Sequence, residues 1–507
     1  MLFNSLEFII FFAPAVILIY ALLKRWQRAD LAELWLILSS FFFYAWWQPR
    51  YLPLLLGSIG VNYLIGRAFR RTDGSGARKS LLVLGVTANL GLLGYFKYAG
   101  FLTTSMRGVG MGWVPSVDVI LPLAISFFTF QQIAYVVDCY RGKVNDLSLR
   151  SYSLFVSFFP QLIAGPIVHH SEISPQFERN RTRGLRMEDV GIGLIIFCMG
   201  LGKKVLIADQ LALAATPVFA AADAGGTVTF VEGWCAALSY SLQLYFDFSG
   251  YCDMATGVAR CVGIVLPMNF NSPYKARNVI EFWRRWHITL SRFLRDYLYI
   301  PLGGNRKGSL RHHANLMITM LLGGLWHGAG WNFMVWGGLH GLALTVNHGW
   351  QQVRDRWGRW LGPAMATLLT FLFVTLAWVF FRATTFQGAF VMLKGMAGLE
   401  GMALPLKYLE RWGSFGEWLQ QAGVSFRAMP AMSSLNAVNS VVVGLVLVWC
   451  LPNVYEWIST KQPVLEKVRA SRWPLPINAW TGIAFGILFV VCLVSLNRVS
   501  EFLYFQF

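Results

Sequence analysis

Apolar residues along this chain gather into long blocks free of charge. Residues 81–96, 119–137, 363–381 and 474–497 contain no Lys, Arg, Asp or Glu. The hydrocarbon core of a bilayer is crossed by about 20 apolar residues, within a range of about 17–25. Several blocks reach that length, others with their flanks included. Inside lipid the backbone must satisfy its own hydrogen bonds, so the blocks are predicted to be helices. Clusters of Lys and Arg set the sidedness, because these residues accumulate in cytoplasmic loops. Residues 24–28 and 67–79 carry that mark. Between them lie apolar segments 34–47 and 51–65, a hairpin turning at Gln48-Pro49-Arg50. The N-terminus is therefore expected outside. Block 81–96 then leaves, a Gly-rich loop with few charges follows, and 119–137 returns to Arg141 and Lys143.

Residues 151–168 lie between two basic segments, 141–150 and 179–186, and one full crossing cannot have both ends inside. Pro160 and Gly165-Pro166 also break helices here. The segment reads as re-entrant, a broken backbone tolerated only around a protein-lined cavity; a Pro-kinked crossing is the alternative. Residues 190–201 begin an interrupted helix, 221–229 form an external loop and 233–246 return. Basic residues 275–311 are then cytoplasmic or interfacial. Residues 314–330 rise into the membrane and 333–347 come back to a cytoplasmic 354–359. Block 363–381 leaves, 400–430 is external, 436–455 returns to 461–472, and a last helix exits. The pattern predicts an all-α integral membrane protein with about eleven crossings plus re-entrant segments, formed by residues 1–507 as one polytopic domain.

Composition strengthens that picture. Of 507 residues, 56% are hydrophobic and 13% charged, against about 25% charged in soluble domains. A net charge of +18 would suggest nucleic acid in a soluble protein. Here membrane sidedness explains it, with room for basic residues that also meet an anionic substrate. The seven Cys form no CxxC pair and lie mostly in apolar runs, where Cys behaves as a small hydrophobe. Neither a disulfide framework nor a metal site is expected. The first residues carry no basic n-region and no A-x-A cleavage pattern, which predicts a retained first helix.

Ionisable residues at membrane depth are costly and are functional candidates. His327 lies in Leu322-Gly323-Gly324-Leu325-Trp326-His327-Gly328, roughly 20 Å from the basic end of its helix at about 1.5 Å per residue. Charging it would require a desolvated imidazolium, so a neutral ring suited to general base work is expected. A core His bonded to a neighbouring helix is the equal alternative. Arg284, Arg285, Arg292 and Arg295 alternate with aromatics and, if helical, form an amphipathic interfacial surface. That surface could also hold the phosphates of a nucleotide-like acyl donor. Asp247 and Asp253 sit near the end of an apolar run. They could orient a His or pair with these arginines, and a structural ion pair is the simpler role. The remaining histidines carry little: His169-His170 and His312-His313 lie in polar loops, His340 and His348 on a Trp/Gly-rich helix. HExxH, CxxC and P-loop motifs are absent.

These motifs together resemble the membrane-bound O-acyltransferase family, in the bacterial branch that modifies alginate and teichoic acids. The resemblance is carried by Tyr245-Phe246-Asp247-Phe248-Ser249-Gly250-Tyr251, Asn269-Phe270-Asn271-Ser272-Pro273-Tyr274 and Phe282-Trp283-Arg284-Arg285-Trp286-His287-Ile288-Thr289. It continues in Asp296-Tyr297-Leu298-Tyr299-Ile300-Pro301-Leu302-Gly303-Gly304 and Gly323-Gly324-Leu325-Trp326-His327-Gly328. Smaller echoes are Phe43-Tyr44-Ala45-Trp46-Trp47, Tyr95-Phe96-Lys97-Tyr98 and the terminal Tyr504-Phe505-Gln506-Phe507. Thr289 stands where related patterns carry Ser.

The resemblance implies a ring of helices around a thin centre, where a cytoplasmic funnel meets a cavity from the other side at a buried His. It places His327 as the catalytic base and His287 as the second histidine, holding the oxyanion or orienting the acyl donor, with Trp326, Asp247 and Asp253 in support. The implied reaction moves acetyl from cytoplasmic acetyl-CoA, a substrate rather than a bound cofactor, to an exported polysaccharide of alginate or cellulose type. It passes through a periplasmic acetyltransferase or relay partner at the bacterial inner membrane. Arg284, Arg285 and Arg292 are the candidate seats for the CoA phosphates. Other readings are D-alanyl transfer to teichoic acid, a lipid or protein O-acyltransferase, and a transporter.

Overall fold

The computed structural model describes residues 1–144, 146, 148–357, 361–427, 435–496 and 502–503, without the side chains of 352–357, 435 and 436. Arg359 and Tyr504-Phe505-Gln506-Phe507 lie outside the described residues. Among those described, five helical stretches are long and apolar enough to cross a membrane. They are Glu7–Arg25, Pro49–Arg71, Ser75–Gly108, Met187–Asp223 and Pro363–Arg382; Ala437–Cys450 and Ala479–Ser495 are shorter apolar helices. The charge pattern predicts more crossings than this count. Helices such as Phe230–Cys261 and Ser309–His327 dilute their hydropathy with polar groups turned toward the interior.

The centre is built on Phe230–Cys261, buried along most of its 32 residues. Thr229 and Glu232 form a capping box at its start, which satisfies backbone N–H groups there. It packs most extensively on Met187–Gly202. A Cβ at Gly200 would lie 2.6 Å from the Gly250 carbonyl oxygen, so hydrogen-only side chains permit this approach. The predicted interruption after residue 201 is a π-helical turn, Lys203–Ala208, before the helix resumes as Asp209–Asp223.

Several expectations change. The helix expected over 233–246 runs on to Cys261, so Asp247 and Asp253 lie mid-helix rather than near an end. Block 119–137 is helical only from Ile125, because Pro122 and the left-handed Ala124 (φ 61°) stop it earlier. The arginine stretch is not one amphipathic helix. Val279–Trp283 ends, the chain turns through His287 at φ 43°, and Ile288–Leu294 begins anew. Residues 151–168 are broken as expected into Leu149–Ser157, Phe159–Leu162 and an irregular buried run. The stretch 400–430, expected outside, departs from pure helix among its described residues in a parallel pair, Ala403–Pro405 with Ser425–Arg427, in register Ala403 to Ser425.

Candidate functional site

His327 is the last residue of Ser309–His327, and Gly328 beyond it is extended. The returning helix Trp331–Trp357 packs so closely on it that a Cβ at Gly324 would meet the Phe333 carbonyl oxygen at 2.2 Å. The imidazole is thereby held against aromatic faces, with ring centroids 4.9 Å from Trp326, 5.1 Å from Trp336 and 5.3 Å from Phe381. It is 4% exposed.

His287 lies 6.2 Å away, ring to ring, and is fully buried. Its left-handed backbone makes the corner between the two short helices, and the strand-like run 269–271 closes that corner. Asn271 N donates to Arg285 O at 2.9 Å and Ile288 N to Asn269 O at 3.0 Å. The Asn269 amide then faces the ring: its Oδ1 lies 3.1 Å from His287 Nδ1. The same oxygen accepts from Thr289 Oγ1 at 2.8 Å and from Thr289 N at 3.3 Å. Asn269 Nδ2 turns to Cys252 Sγ. With Oδ1 so identified as an acceptor, Nδ1 carries the proton, and in the neutral ring Nε2 is the acceptor. Thr289 Oγ1 also accepts from Ile167 N at 3.0 Å, which ties the broken 151–168 segment to the histidine corner. Trp326 lies beside both histidines, 5.9 Å from His287, and stacks on Phe130 at 5.3 Å.

Two cavities bear on the chemistry, one of them bordering His327. One of about 140 Å³ is lined by His327, Trp326, Lys97, Ser126, Ile163 and Gln48 among others; its Gln48 lies in the turn expected outside, and its residues 121–124 at the start of the block expected to return from there. The other, of about 340 Å³, is lined by Lys24, Arg179, Arg183, Arg186 and Arg260 with the single carboxylate Asp189. Lys24, Arg179, Arg183 and Arg186 come from segments expected inside. Arg260 is paired with Asp189 at 2.7 Å. Val265 on its wall is four residues from Asn269, a chain reach of at most about 14 Å.

The predicted site residues sort as follows. His327, His287 and Trp326 come together. Asp253 pairs with Lys203 and Asp247 with Lys204, each at 2.6 Å. They pair with neither the arginines nor a histidine, because the π-turn brings both lysines onto the long helix. Arg292 forms a two-pronged pair with Glu172, at 2.6 and 3.0 Å. Arg285 binds Glu281 at 2.8 Å and the Asn271 carbonyl at 3.1 Å, while Arg284 is exposed on the turn. The three arginines therefore do not form one anion seat. Sequence reasoning missed the basic cavity, whose residues are far apart in the chain, and gave Asn269 and Lys97 only as parts of motifs. It also passed over His340. That ring is buried, accepts from Trp283 Nε1 at 3.2 Å and lies 5.0 Å from Trp336. Among the described residues no cluster could hold a metal ion.

Comparison with known proteins agrees on one family. The model of MBOAT, the membrane-bound O-acyltransferase family, matches residues 139–386. A peptidoglycan O-acetyltransferase of Helicobacter pylori is 42% identical over 533 aligned positions, covering 100% of this chain and 98% of that protein. A probable alginate O-acetylase of Pseudomonas putida is 36% identical with both chains fully covered. A teichoic acid D-alanyltransferase of Streptococcus thermophilus is 29% identical over 45% of this chain and 57% of its own.

Proposed function

The chain belongs to the membrane-bound O-acyltransferase family, and from that premise we propose that this multi-pass O-acyltransferase carries acetyl from cytoplasmic acetyl-CoA across the bacterial inner membrane. A partner protein on the far side passes the acetyl to hydroxyls of an exported polysaccharide. The observation that carries this reading is the two-sided arrangement. His327 borders a cavity among segments expected outside, His287 lies 6.2 Å behind it, and a cation-lined cavity opens among segments expected inside. The full-length likeness is to O-acetyl-transferring proteins, whereas likeness to the D-alanyltransferase covers under half the chain. The acceptor is a polysaccharide of the alginate or cellulose type. The 42% identity with a peptidoglycan-acetylating relative favours cell-wall glycan as a second acceptor.

A thioester is already activated, so the protein must supply a base, an electrophilic pocket and exclusion of water. His327 takes the proton of the attacking hydroxyl and later returns it to the departing thiolate. His287 orients the reacting groups. A neutral ring whose Nδ1–H is bonded to Asn269 has only an acceptor left at Nε2, which supports orientation over donation to an oxyanion. The CoA phosphates, bearing several negative charges, sit in the basic cavity rather than on Arg284, Arg285 and Arg292. The test is acetylation of polysaccharide by membranes supplied with labelled acetyl-CoA. His327→Gln, which keeps a hydrogen-bonding group but cannot act as a base, is expected to lose about 10²–10⁴-fold in rate. Near-normal acetylation by that variant at matched protein level would refute the base assignment. Transfer from a carrier protein but not from CoA would refute the acyl donor.

A further inference from the structure

The cavity beside His327 holds a cation for which this mechanism has no use. Lys97 is 9% exposed and sits on the π-helical turn Gly94–Tyr98. Such turns displace side chains from the regular helical register and are frequent at functional sites. Its Nζ donates to Ser126 Oγ at 3.3 Å and to the Trp326 carbonyl. Next to it, Tyr98 Oη donates to the Leu325 carbonyl at 2.9 Å. Among the described residues no carboxylate lies in ion-pair range of Lys97. A buried ammonium without a counter-charge is expensive.

One structural task is visible, since Lys97 and Tyr98 together satisfy the last carbonyls of the His327 helix. Tyr98 does this without charge, so capping alone does not call for an ammonium. The ammonium has three N–H groups, two of which have these oxygens as partners. Lys97, Ser126, Trp326 and His327 line one cavity.

We infer that Lys97 is a catalytic residue of the acyl transfer, its N–H holding the oxyanion that forms at the acyl carbonyl beside His327. The inference rests on the acyl-transfer reading with His327 as base. In the step, the acceptor hydroxyl gives its proton to His327 as its oxygen bonds to the carbonyl carbon. The carbonyl π electrons move onto oxygen, where Lys97 holds them. They then return, the carbon–sulfur bond breaks, and the thiolate leaves with its electron pair and takes the proton from His327. No further reactant is required.

The test uses the full chain in membranes that also hold its far-side partner, supplied with labelled acetyl-CoA and a soluble oligosaccharide acceptor. Rates are normalised to acetyl-CoA-binding sites counted on the same sample, so misfolded molecules do not contribute. An oxyanion exists only beyond the ground state, so its loss lowers kcat and leaves both KM values in place. Lys97→Gln and Lys97→Met are expected to lose about 10²–10³-fold in kcat, and Lys97→Arg to stay within about tenfold of the parent. Near-parental kcat in Lys97→Gln, which can still cap the Trp326 carbonyl, would overturn the inference. So would Lys97→Arg falling as far as Lys97→Gln, or a loss that appears in KM alone. His327→Gln is run in parallel. If it is inactive while Lys97→Gln is normal, only the Lys97 role fails; if it is active, the underlying reading fails.

Discussion

At His287 the chemistry open to the ring is decided by an amide two short helices away in the fold. Asn269 Oδ1 is within hydrogen-bonding range of His287 Nδ1, Thr289 N and Thr289 Oγ1, and so fixes both the tautomer and the orientation of the imidazole. Asn269→Ala would free the ring to rotate and leave the buried Thr289 hydroxyl without this acceptor. The expected outcome is a fall in kcat of about tenfold, corresponding to about 1.4 kcal/mol of lost orientation, with acyl-donor KM little changed. An unchanged kcat in steady-state assays of the purified variant would show that His287 needs no such support. The histidines were legible because their motifs are distinctive and because a His inside an apolar block stands out. Asn269 was not, since an Asn in a polar turn looks like turn chemistry until the fold brings it against the ring. Lys97 was hidden in the same way: it closes an apolar block and reads from sequence as a flank.

The helices themselves were legible where length and hydropathy rule, as in Pro363–Arg382, while the helix expected over 81–96 runs on to Gly108, into the stretch expected as a loop. They were misjudged where tertiary contacts rule. The long helix continues through Asp247 and Asp253 because Lys203 and Lys204 neutralise both carboxylates, a pairing that needs a π-turn no periodicity announces. The arginine stretch breaks at His287 because the corner is closed by bonds to residues 269–271, eighteen positions upstream at the histidine itself. Packing between elements gives a sharper test at the His327 hairpin. A methyl group at Gly324 would meet the Phe333 backbone oxygen at 2.2 Å, and one at Gly337 the Met320 oxygen at 2.3 Å. Neither backbone can yield without separating the helices. Gly324→Ala is therefore expected to destabilise the protein by about 1–3 kcal/mol through overpacking and to lower activity by displacing His327. Gly338→Ala is the matched control, because its nearest neighbour would be a Leu321 methyl at an ordinary 3.6 Å. Equal melting temperatures for the two variants in detergent would contradict the packing account.

For the molecule as a whole, the proposed function requires two cavities reached from opposite sides of the membrane, the one beside His327 and the one lined by cations. Charge distribution predicted a sidedness, and two of the basic clusters read as cytoplasmic supply Lys24, Arg179, Arg183 and Arg186, which meet Arg260 in one cavity. That they enclose a cavity was not legible, because they come from three separated stretches of chain. Cysteine labelling tests sidedness and acyl-donor binding together. Among the native cysteines with described burial, Cys450 is the exposed one, so a Cys450→Ser background suits the experiment. In intact cells a membrane-impermeant maleimide should reach Gln48→Cys, on the wall of the His327 cavity, and should leave Arg183→Cys unmodified until the membrane is permeabilised. In permeabilised membranes, acetyl-CoA should slow labelling of Arg183→Cys, because its phosphates would occupy the surrounding cations, and should leave Gln48→Cys untouched. Loss of one exposed cation is worth about 1 kcal/mol or less, so enough affinity remains for protection to be measured. Added salt should weaken that protection, since the cations at the rim are screened within about 10 Å at 0.1 M. Labelling of Arg183→Cys in intact cells would reverse the orientation of the whole chain. Labelling from the correct side without protection by acetyl-CoA would keep the orientation and remove the basic cavity as the seat of the acyl donor.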